Sequence, residues 1–311
     1  RKGTVGKVYY SKTSFFCIDT AYFITPDDNK YALDFLYYLL QTLGLEELNE
    51  DSAVPGLNRN TAYNQAILLP PLPEQLAIAE VLSSLDAKID LLHRQNRTLE
   101  SMAETLFRQW FVEEAEEGWE EGTISSEFDF TMGLSPPGES YNEDGIGIPM
   151  YQGNADFGFR FPKNRVFTTD PRRFAEKFDT LISVRAPVGA QNMANEKCCI
   201  GRGVAAFRYK QSNSFYTYTY FKLKSLMKEI QQFNDEGTVF GSINKGDFEK
   251  FQIIIPPFGH VNDFQNEVKP IDEKIIWNCI QIRTLSHLRD TLLPKLISGE
   301  VRVKYSREAT I

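Results

Sequence analysis

Few residues in this 311-residue chain have the spacing that catalysis would require. Asp272, Glu273 and Lys274 form an acidic-plus-lysine group of the kind found in nucleases, but they fall in a helical pattern at positions that we expect to face solvent. All three histidines lie on or beside helical patterns, away from Cys or carboxylates at metal-ligand spacing. The sequence contains no phosphate-binding loop and no nucleophile elbow. We therefore predict that this chain has no catalytic residue, no metal ion and no cofactor of its own.

Polar and basic side chains beside predicted turns could instead bind nucleic acid. Asn and Gln can pair with adenine edges and Arg and Lys with guanine edges, and all four also bind phosphate. The candidates with these properties are Gln152, Asn154, Arg160, Lys163, Arg165, Arg185, Gln191, Asn192, Arg202, Ser242, Asn244 and Lys245. Arg1, Lys2 and Arg59 are added from the early part of the chain. Surface loops commonly contain such residues, so the set gains weight only if the fold brings its members together.

Most of these candidates lie in a segment that is typical of short strands separated by turns. Cys198 and Cys199 fall in one apolar run and are expected to pack in a strand. A helix is predicted over residues 216–233. The predicted strands cover residues 122–130, 147–152, 180–184, 203–209 and 251–255.

Cysteine usage and hydropathy indicate the compartment. The four cysteines show neither a disulfide framework nor metal-ligand spacing, which is typical of a reducing environment. No apolar run approaches the roughly 20 residues that a membrane-spanning helix needs. We therefore expect a cytoplasmic protein that has no membrane partner.

Two long amphipathic helices must position the strand-rich segment. Apolar residues recur at alternating steps of four and three in residues 78–110 and again in residues 264–296, as in a coiled-coil seam. Each helix would be about 55 Å long at 1.5 Å per residue. Asn96 and Asn278 fall on the two seams, where a polar residue fixes register at some cost in stability. We favour mutual pairing of the helices as a spacer over the alternative that each packs on its own domain.

The helices belong to an internal repeat. The sequence ILLPPL at residues 67–72 parallels IIIPPF at 253–258, and from Asn58 and Asn244 onward the two copies align without a gap. The period is too long for a solenoid, so we interpret it as a duplicated domain-plus-helix unit. Residues 118–181 of the second copy have no counterpart after Arg1. We therefore expect the early part of the first copy to be absent from this chain.

The net charge of −8 argues at first against a nucleic-acid partner. Six of the acidic residues, however, are glutamates within residues 113–121. Between Lys197 and Lys228 there are seven basic residues and no acidic residue. Because salt screens a surface charge within roughly 10 Å, the clustering of charge matters more than its total.

Several stretches together resemble the DNA-specificity subunit of type I restriction–modification systems. They are ISVRAPVG at 182–189, CIGRGVAAF at 199–207, LPEQLAIAEVLSSLDAKIDLL at 72–92 and LLPKLISGEV at 292–301. The resemblance covers almost the whole chain. It implies an α+β fold in which β-rich target-recognition domains are joined by two long helices that pair as an antiparallel coiled coil. It also implies a non-catalytic subunit that reads a bipartite site.

The same resemblance implies partners and domain bounds. The partners would be double-stranded DNA, two methyltransferase (modification) subunits and the restriction (motor–nuclease) subunits. The implied segments are 1–72 for the later part of the first recognition domain, 73–117 for the first spacer helix, 118–258 for the second recognition domain, 259–300 for the second spacer helix and 301–311 for a tail. The second helix lacks the PEQ that opens the first at residues 73–75.

Two alternatives to the role that the resemblance implies stay open. The chain could be a truncated half-type or decoy specificity protein that dimerises. It could also be the specificity region of a fused nuclease–methyltransferase.

Overall fold

The computed structural model describes residues 5–19, 21–48, 56–116, 118–185, 187–237 and 242–304. It divides the chain into two compact units, Arg1–His93 with Ile280–Ile311 and Arg94–Cys279. We call these unit 1 and unit 2. None of the described helices is long and apolar enough to cross a membrane.

Within the described ranges the chain is a mixture of helices and short strands, which confirms the α+β class. The α-helices are α1 (Leu33–Gln41), α2 (Arg59–Tyr63), α3 (Leu72–Arg108), α4 (Ile124–Glu127), α5 (Tyr216–Gly237), α6 (Lys245–Lys250) and α7 (Phe258–Ile297). The strands are β1 (Glu120–Thr123), β2 (Phe128–Met132), β3 (Tyr141–Asn142), β4 (Ile148–Tyr151), β5 (Val166–Thr168), β6 (Phe174–Ala175), β7 (Thr180–Ser183), β8 (Gln191–Met193), β9 (Cys198–Ile200), β10 (Val204–Tyr209) and β11 (Gln252–Ile255). Helices α3 and α7 are the two long helices that the heptad patterns predict.

Unit 1 is built around the packing of α1 on the long helices. Its apolar core consists of Ala32, Phe35, Leu36, Tyr38, Leu39, Ile78, Ala79, Leu82 and Leu296. Beside this core, Arg289 Nη1 of α7 lies 2.7 Å from Asp86 Oδ1 of α3, and the Tyr38 hydroxyl donates to Asp86 Oδ2 at 2.6 Å. The apolar stripe of α3 therefore has the cover that an amphipathic helix requires.

In unit 2 the two long helices pair with each other. Asn278 Nδ2 donates to Asn96 Oδ1 at 2.9 Å, and both side chains are fully buried. Later in α3, Phe107 packs edge-on against Phe264, which lies earlier in α7. Because residue numbers rise along one helix as they fall along the other, the paired segments are antiparallel. The predicted pairing, with an asparagine on each seam, is confirmed within this unit.

The strands of unit 2 form three small sheets. One has the order β2-β10-β7-β8 and another the order β3-β5-β4-β9-β6, while β1 pairs only with β11. All neighbours are antiparallel except β4 and β9, which are parallel. Cys198 and Cys199 are buried in β9, as expected from their apolar run. The sheets hold the loops at their strand ends in fixed relative positions.

The single strand predicted over residues 122–130 is wrong. Strand β1 ends at Thr123, a helical turn covers Ile124–Glu127, and β2 begins at Phe128. Thr123 and Ser126 form a capping box, which satisfies backbone donors at a helix start and so competes with a strand. Strands β3, β5, β6 and β8 are not among the predictions, and β9 is foreseen only as a strand at Cys198 and Cys199. Each is two or three residues long, which is too short for an alternating pattern to show.

The repeat is visible in matching capping contacts. Asn58 accepts a hydrogen bond from Asn60 N at the start of α2, and Asn244 accepts one from Asp247 N at the start of α6. Ahead of α1, Ala32 N donates to Gln75 Oε1 at 2.9 Å. In the second copy, Tyr218 N of α5 donates to Gln265 Oε1 at 3.0 Å. In both copies a buried glutamine of the long helix thus accepts a backbone hydrogen bond from the start of another helix, although Gln75 and Gln265 lie one helical turn apart in the alignment of the repeat.

Candidate nucleic-acid interface

Three loops meet at one end of the sheets in unit 2. Strands β4 and β9 run parallel with Tyr151 beside Ile200, so the loops that follow them are neighbours. Gly201 N donates to Tyr151 O at 2.8 Å. The loop after β7 joins them, since Val184 N donates to Gly203 O at 2.9 Å. Gln152, Arg185 and Arg202 are therefore brought into one region.

Two further candidates join this region through backbone pairing. Met150 pairs with Val166, so Arg165 lies just ahead of β5 and close to the end of β4. Ser242 forms an isolated β-bridge with Arg185. We call Gln152, Asn154, Arg165, Arg185, Arg202 and Ser242 the strand-end cluster.

A concave site of about 480 Å³ lies within the strand-end cluster. We refer to it as the cleft. Half of its lining residues are polar or charged, and the lining comes from three loops. The lining residues are Gln152, Gly153, Asn154, Ala155, Asp156, Arg165, Val166 and Pro187. The cleft therefore offers amide and guanidinium groups that could bind base edges or phosphate.

Asp156 organises the cleft, and the sequence reasoning missed it. Its side chain is buried and accepts hydrogen bonds from Arg165 Nη2 at 2.6 Å and from Gln152 N at 2.7 Å. The hydrogen bond to Asp156 raises the pKa of the Arg165 guanidinium. More than half of the Arg165 side chain stays exposed. The available signal was the acidic residue two positions after Asn154, which a search for basic residues passes over.

The loops approach one another as closely as a glycine allows. A Cβ on Gly203 would lie 2.0 Å from Gln152 O, far inside van der Waals contact. Glycine is the residue that permits such backbone contact. The sequence GRG at residues 201–203 thus places the exposed Arg202 between two glycines that pack on the loop after β4.

Arg185 and Arg202 are exposed cations of the cluster, as is Arg165, which pairs with Asp156. Arg202 Nε donates to Ser135 Oγ at 3.3 Å, which holds its side chain against the loop after β2. Among the described residues, neither Arg185 nor Arg202 forms an ion pair with an acidic side chain. Lys163 is also exposed and lies two residues before Arg165. These charges are available to an anionic partner.

Arg160 and Asn192 are wrong as DNA-contacting candidates. Both side chains are fully buried. Asn192 Nδ2 donates to Gly158 O at 2.8 Å, and the Arg160 guanidinium lies 3.3 Å from Asp272 Oδ1. The burial of Asp272 also contradicts its expected solvent-facing position. Sequence spacing identified these residues as polar but could not tell which ones the fold would enclose.

Some of the remaining candidates have structural contacts, and one of them is exposed in unit 1. Gln191 is half-buried and donates to Tyr220 O at 2.7 Å. The Asn244 side chain caps α6, and Lys245 pairs with Glu249 at 3.3 Å. In unit 1, Arg59 is exposed beside Tyr63. Arg1 and Lys2 lie outside the described residues.

The basic run from Lys197 to Lys228 contains no acidic residue, but the fold brings acidic side chains from elsewhere in the chain against several of its members. Lys197 pairs with Glu176 at 2.9 Å, and Arg208 pairs with Asp179 at 2.5 Å. Lys222 is buried, while Lys224 pairs with Glu100 at 2.7 Å. The fold thus neutralises much of this run and leaves Arg202 as its member in the strand-end cluster.

A metal site in the described part of the chain would need a group of ligating side chains. No group of three His, Cys, Asp or Glu side chains within the described ranges could hold a metal ion. Burial raises the pKa of the Cys279 thiol to about 11. A thiol with a raised pKa is a poor nucleophile at neutral pH.

The chain is similar in sequence to a known protein family. A family model described as the type I restriction modification DNA specificity domain matches residues 1–101 and, a second time, residues 116–275. The chain belongs to this family. The two matches to one domain model agree with the internal repeat. The second match includes every member of the strand-end cluster.

Two relatives of this chain come from Methanocaldococcus jannaschii. One is named the MjaX specificity subunit of a type I restriction enzyme; it is 31% identical over 303 residues, which cover 90% of this chain and 71% of that protein. The other is the MjaIX specificity subunit, at 28% identity over 316 residues, 90% of this chain and 72% of that protein.

A solved structure shares the fold. The type I restriction–modification S subunit from M. genitalium aligns with a TM-score of 0.59 and 22% identity, over 90% of this chain and 75% of that one. The specificity-family fold thus accounts for both the strands of unit 2 and the long helices.

Proposed function

We propose that this chain reads a bipartite double-stranded DNA site and directs methyltransferase and restriction subunits to it. The observation that carries the proposal is the strand-end cluster. Its six members come from five segments of the chain, yet they lie in one region, and three of them line the cleft. The family's description as a DNA specificity domain supports DNA as the ligand.

Within the cluster we assign two kinds of contact. Arg185 and Arg202, which are exposed, would bind phosphates and supply affinity that does not depend on sequence. Gln152 and Arg165, at the cleft, would read base edges. A well-formed bidentate pair with a base is worth about 1–3 kcal/mol of discrimination.

The two-part site follows from the duplication. Residues 118–258 would be one recognition domain and residues 1–72 part of the other. The helical segments 73–117 and 259–300 would act as spacers, and residues 301–311 as a tail. Pairing of α3 with α7 around Asn96 and Asn278 supports the spacer role of these helical segments.

The chemistry would belong to the partner subunits. The relatives from M. jannaschii are named as specificity subunits, which supports a non-catalytic role for this chain. The chain alone would neither methylate nor cleave DNA. Two methyltransferase subunits and the motor–nuclease subunits would supply those activities.

Reconstitution tests this division of labour. The methyltransferase subunits encoded with this chain are mixed with genomic DNA and a labelled methyl donor, with and without the chain. We expect methyl transfer only when both proteins are present, and a loss of at least tenfold with Gln152→Ala/Arg165→Ala. Methyl transfer by this chain alone, or equal transfer without it, would refute the proposal.

A further inference from the structure

Arg160 is a fully buried side chain that contacts three helices of unit 2. Its Nη2 atom lies 3.3 Å from Asp272 Oδ1 of α7 and 3.7 Å from Glu100 Oε1 of α3. Its guanidinium carbon lies 3.7 Å from the centre of the Tyr220 ring of α5. One side chain from a loop between strands therefore reaches both members of the helix pair.

The groups around Arg160 are themselves held in place. Thr217 Oγ1 donates to Asp272 Oδ2 at 3.0 Å. Lys224 Nζ lies 2.7 Å from Glu100 Oε1. Burial acts to lower the pKa of Arg160, but Tyr220, Asp272 and Glu100 act to raise it, and the net direction is upward. The guanidinium therefore keeps its charge inside the protein.

Stability alone is a weak reason for such an arrangement. Removing charges from water costs several kcal/mol per ion, and well-packed apolar residues often replace a buried ion pair without loss of stability. Among the described residues, the Arg160 guanidinium has ionic and ring contacts but no hydrogen bond. An arrangement that is costly but geometrically specific is better explained by a positional role.

The backbone connects Arg160 to the cleft. Lys163 N donates to Asp156 O at 2.8 Å, which closes the segment between them into a loop. At the buried end of this loop, Met193 N donates to Arg160 O at 2.9 Å. At the other end lie Asp156 and Arg165, which line the cleft. Movement at Arg160 would therefore be transmitted to the cleft.

We propose that Arg160 is a positioning residue that fixes the orientation of the cleft relative to the paired segments of α3 and α7. The inference rests on the proposed function, because a fixed orientation matters when two DNA half-sites must be read at one separation. Arg160 itself does not touch DNA. Its loss would relax the separation that the complex accepts.

The test compares Arg160→Met with a matched control, Arg208→Met. Arg208 also pairs with a buried aspartate, Asp179, but the pair joins β10 to the residue just ahead of β7 and does not involve the helices. Each variant is assembled with the methyltransferase subunits. Methylation is then measured on duplexes in which the spacer between the half-sites is longer or shorter by one or two base pairs.

For the wild type we expect a strong preference for one spacer length. Arg160→Met should reduce that preference at least tenfold, while Arg208→Met keeps it. An unchanged preference in Arg160→Met would overturn the proposal. A wild type without any preference would refute two-part reading instead.

A second measurement does not depend on DNA. Amide hydrogen exchange is followed in residues 152–165 of the full chain, using Asp272→Asn as a milder variant that keeps the side-chain size. We expect exchange in this segment to rise at least tenfold in both Arg160→Met and Asp272→Asn, and to stay unchanged in Arg208→Met. Unchanged exchange in both helix-contacting variants would overturn the positioning role, whatever the DNA experiment shows.

Discussion

Glu127 lies buried at the end of α4, where the Tyr218 hydroxyl donates a hydrogen bond to it. Burial raises the pKa of the Glu127 carboxyl above its ordinary value of 4.5, although Lys222 and Tyr218 act in the opposite direction. For the Lys222 ammonium the direction is opposite, because burial disfavours its positive charge and lowers its pKa. Its Nζ donates to Ile254 O at 2.8 Å. Unit 2 thus encloses ionisable groups that its sequence displays as ordinary charged residues.

Glu127→Gln should change how stability depends on pH. The folded state holds the Glu127 proton more tightly than the unfolded state, so this group's contribution to stability falls as pH rises from about 4.5 through the folded pKa. The glutamine variant lacks that decline and should gain stability relative to the wild type over the same range. Urea unfolding at pH 4.5 to 7 measures the difference. Parallel curves for the two proteins would contradict the raised pKa.

Arg185→Ala and Arg202→Ala should each weaken DNA binding by the assembled complex. Each variant would lose one phosphate contact, so the slope of log affinity against log salt should become shallower by about 0.9. Lys197→Ala is the matched control, because Lys197 is exposed but precedes β9, whereas Arg202 follows it. Salt titrations of binding measure all three. Wild-type slopes in both arginine variants would remove these residues from the interface.

At the level of elements, the sequence predicts long periodic segments well and short ones poorly. The heptad seams of α3 and α7 repeat often enough to fix both helices and to place Asn96 opposite Asn278. Strands of two or three residues carry no such signal. The turn at Ile124–Glu127 is set by local capping at Thr123, which a strand pattern hides.

The buried asparagine pair should behave as a coupled unit. Asn96→Leu alone leaves Asn278 without its partner, which should cost about 1–3 kcal/mol of stability, and Asn278→Leu should cost a similar amount. The double variant replaces both groups with apolar ones and should cost less than the sum. Urea unfolding of the four proteins gives the coupling energy. Additive single effects would show that the two side chains do not depend on each other.

The candidate site was predictable by residue type but not by burial. Gln152, Arg165, Arg185 and Arg202 follow from polar residues beside turns. The parallel register of β4 and β9 brings the loops of Gln152 and Arg202 together. Arg160 has the same sequence context as its exposed neighbours. Only the packing of α5 and the long helices around it determines that it is enclosed.

For the whole molecule, the net charge of −8 is compatible with a DNA partner because charge is unevenly distributed. The glutamate-rich residues 113–121 lie outside the strand-end cluster. Within the cluster, Arg185 and Arg202 are exposed, and among described residues they have no acidic ion-pair partner. Local field, not total charge, governs the approach of a polyanion.

The central claim is that this chain determines which DNA sequence is methylated. Mapping methylated bases across the genome, in otherwise identical strains with and without the gene for this chain, tests it most directly. We expect one split motif, two short half-sites at a fixed separation, to be methylated only when the chain is present. Identical methylated motifs in the two strains, or a continuous motif that depends on the chain, would contradict two-part reading by this protein.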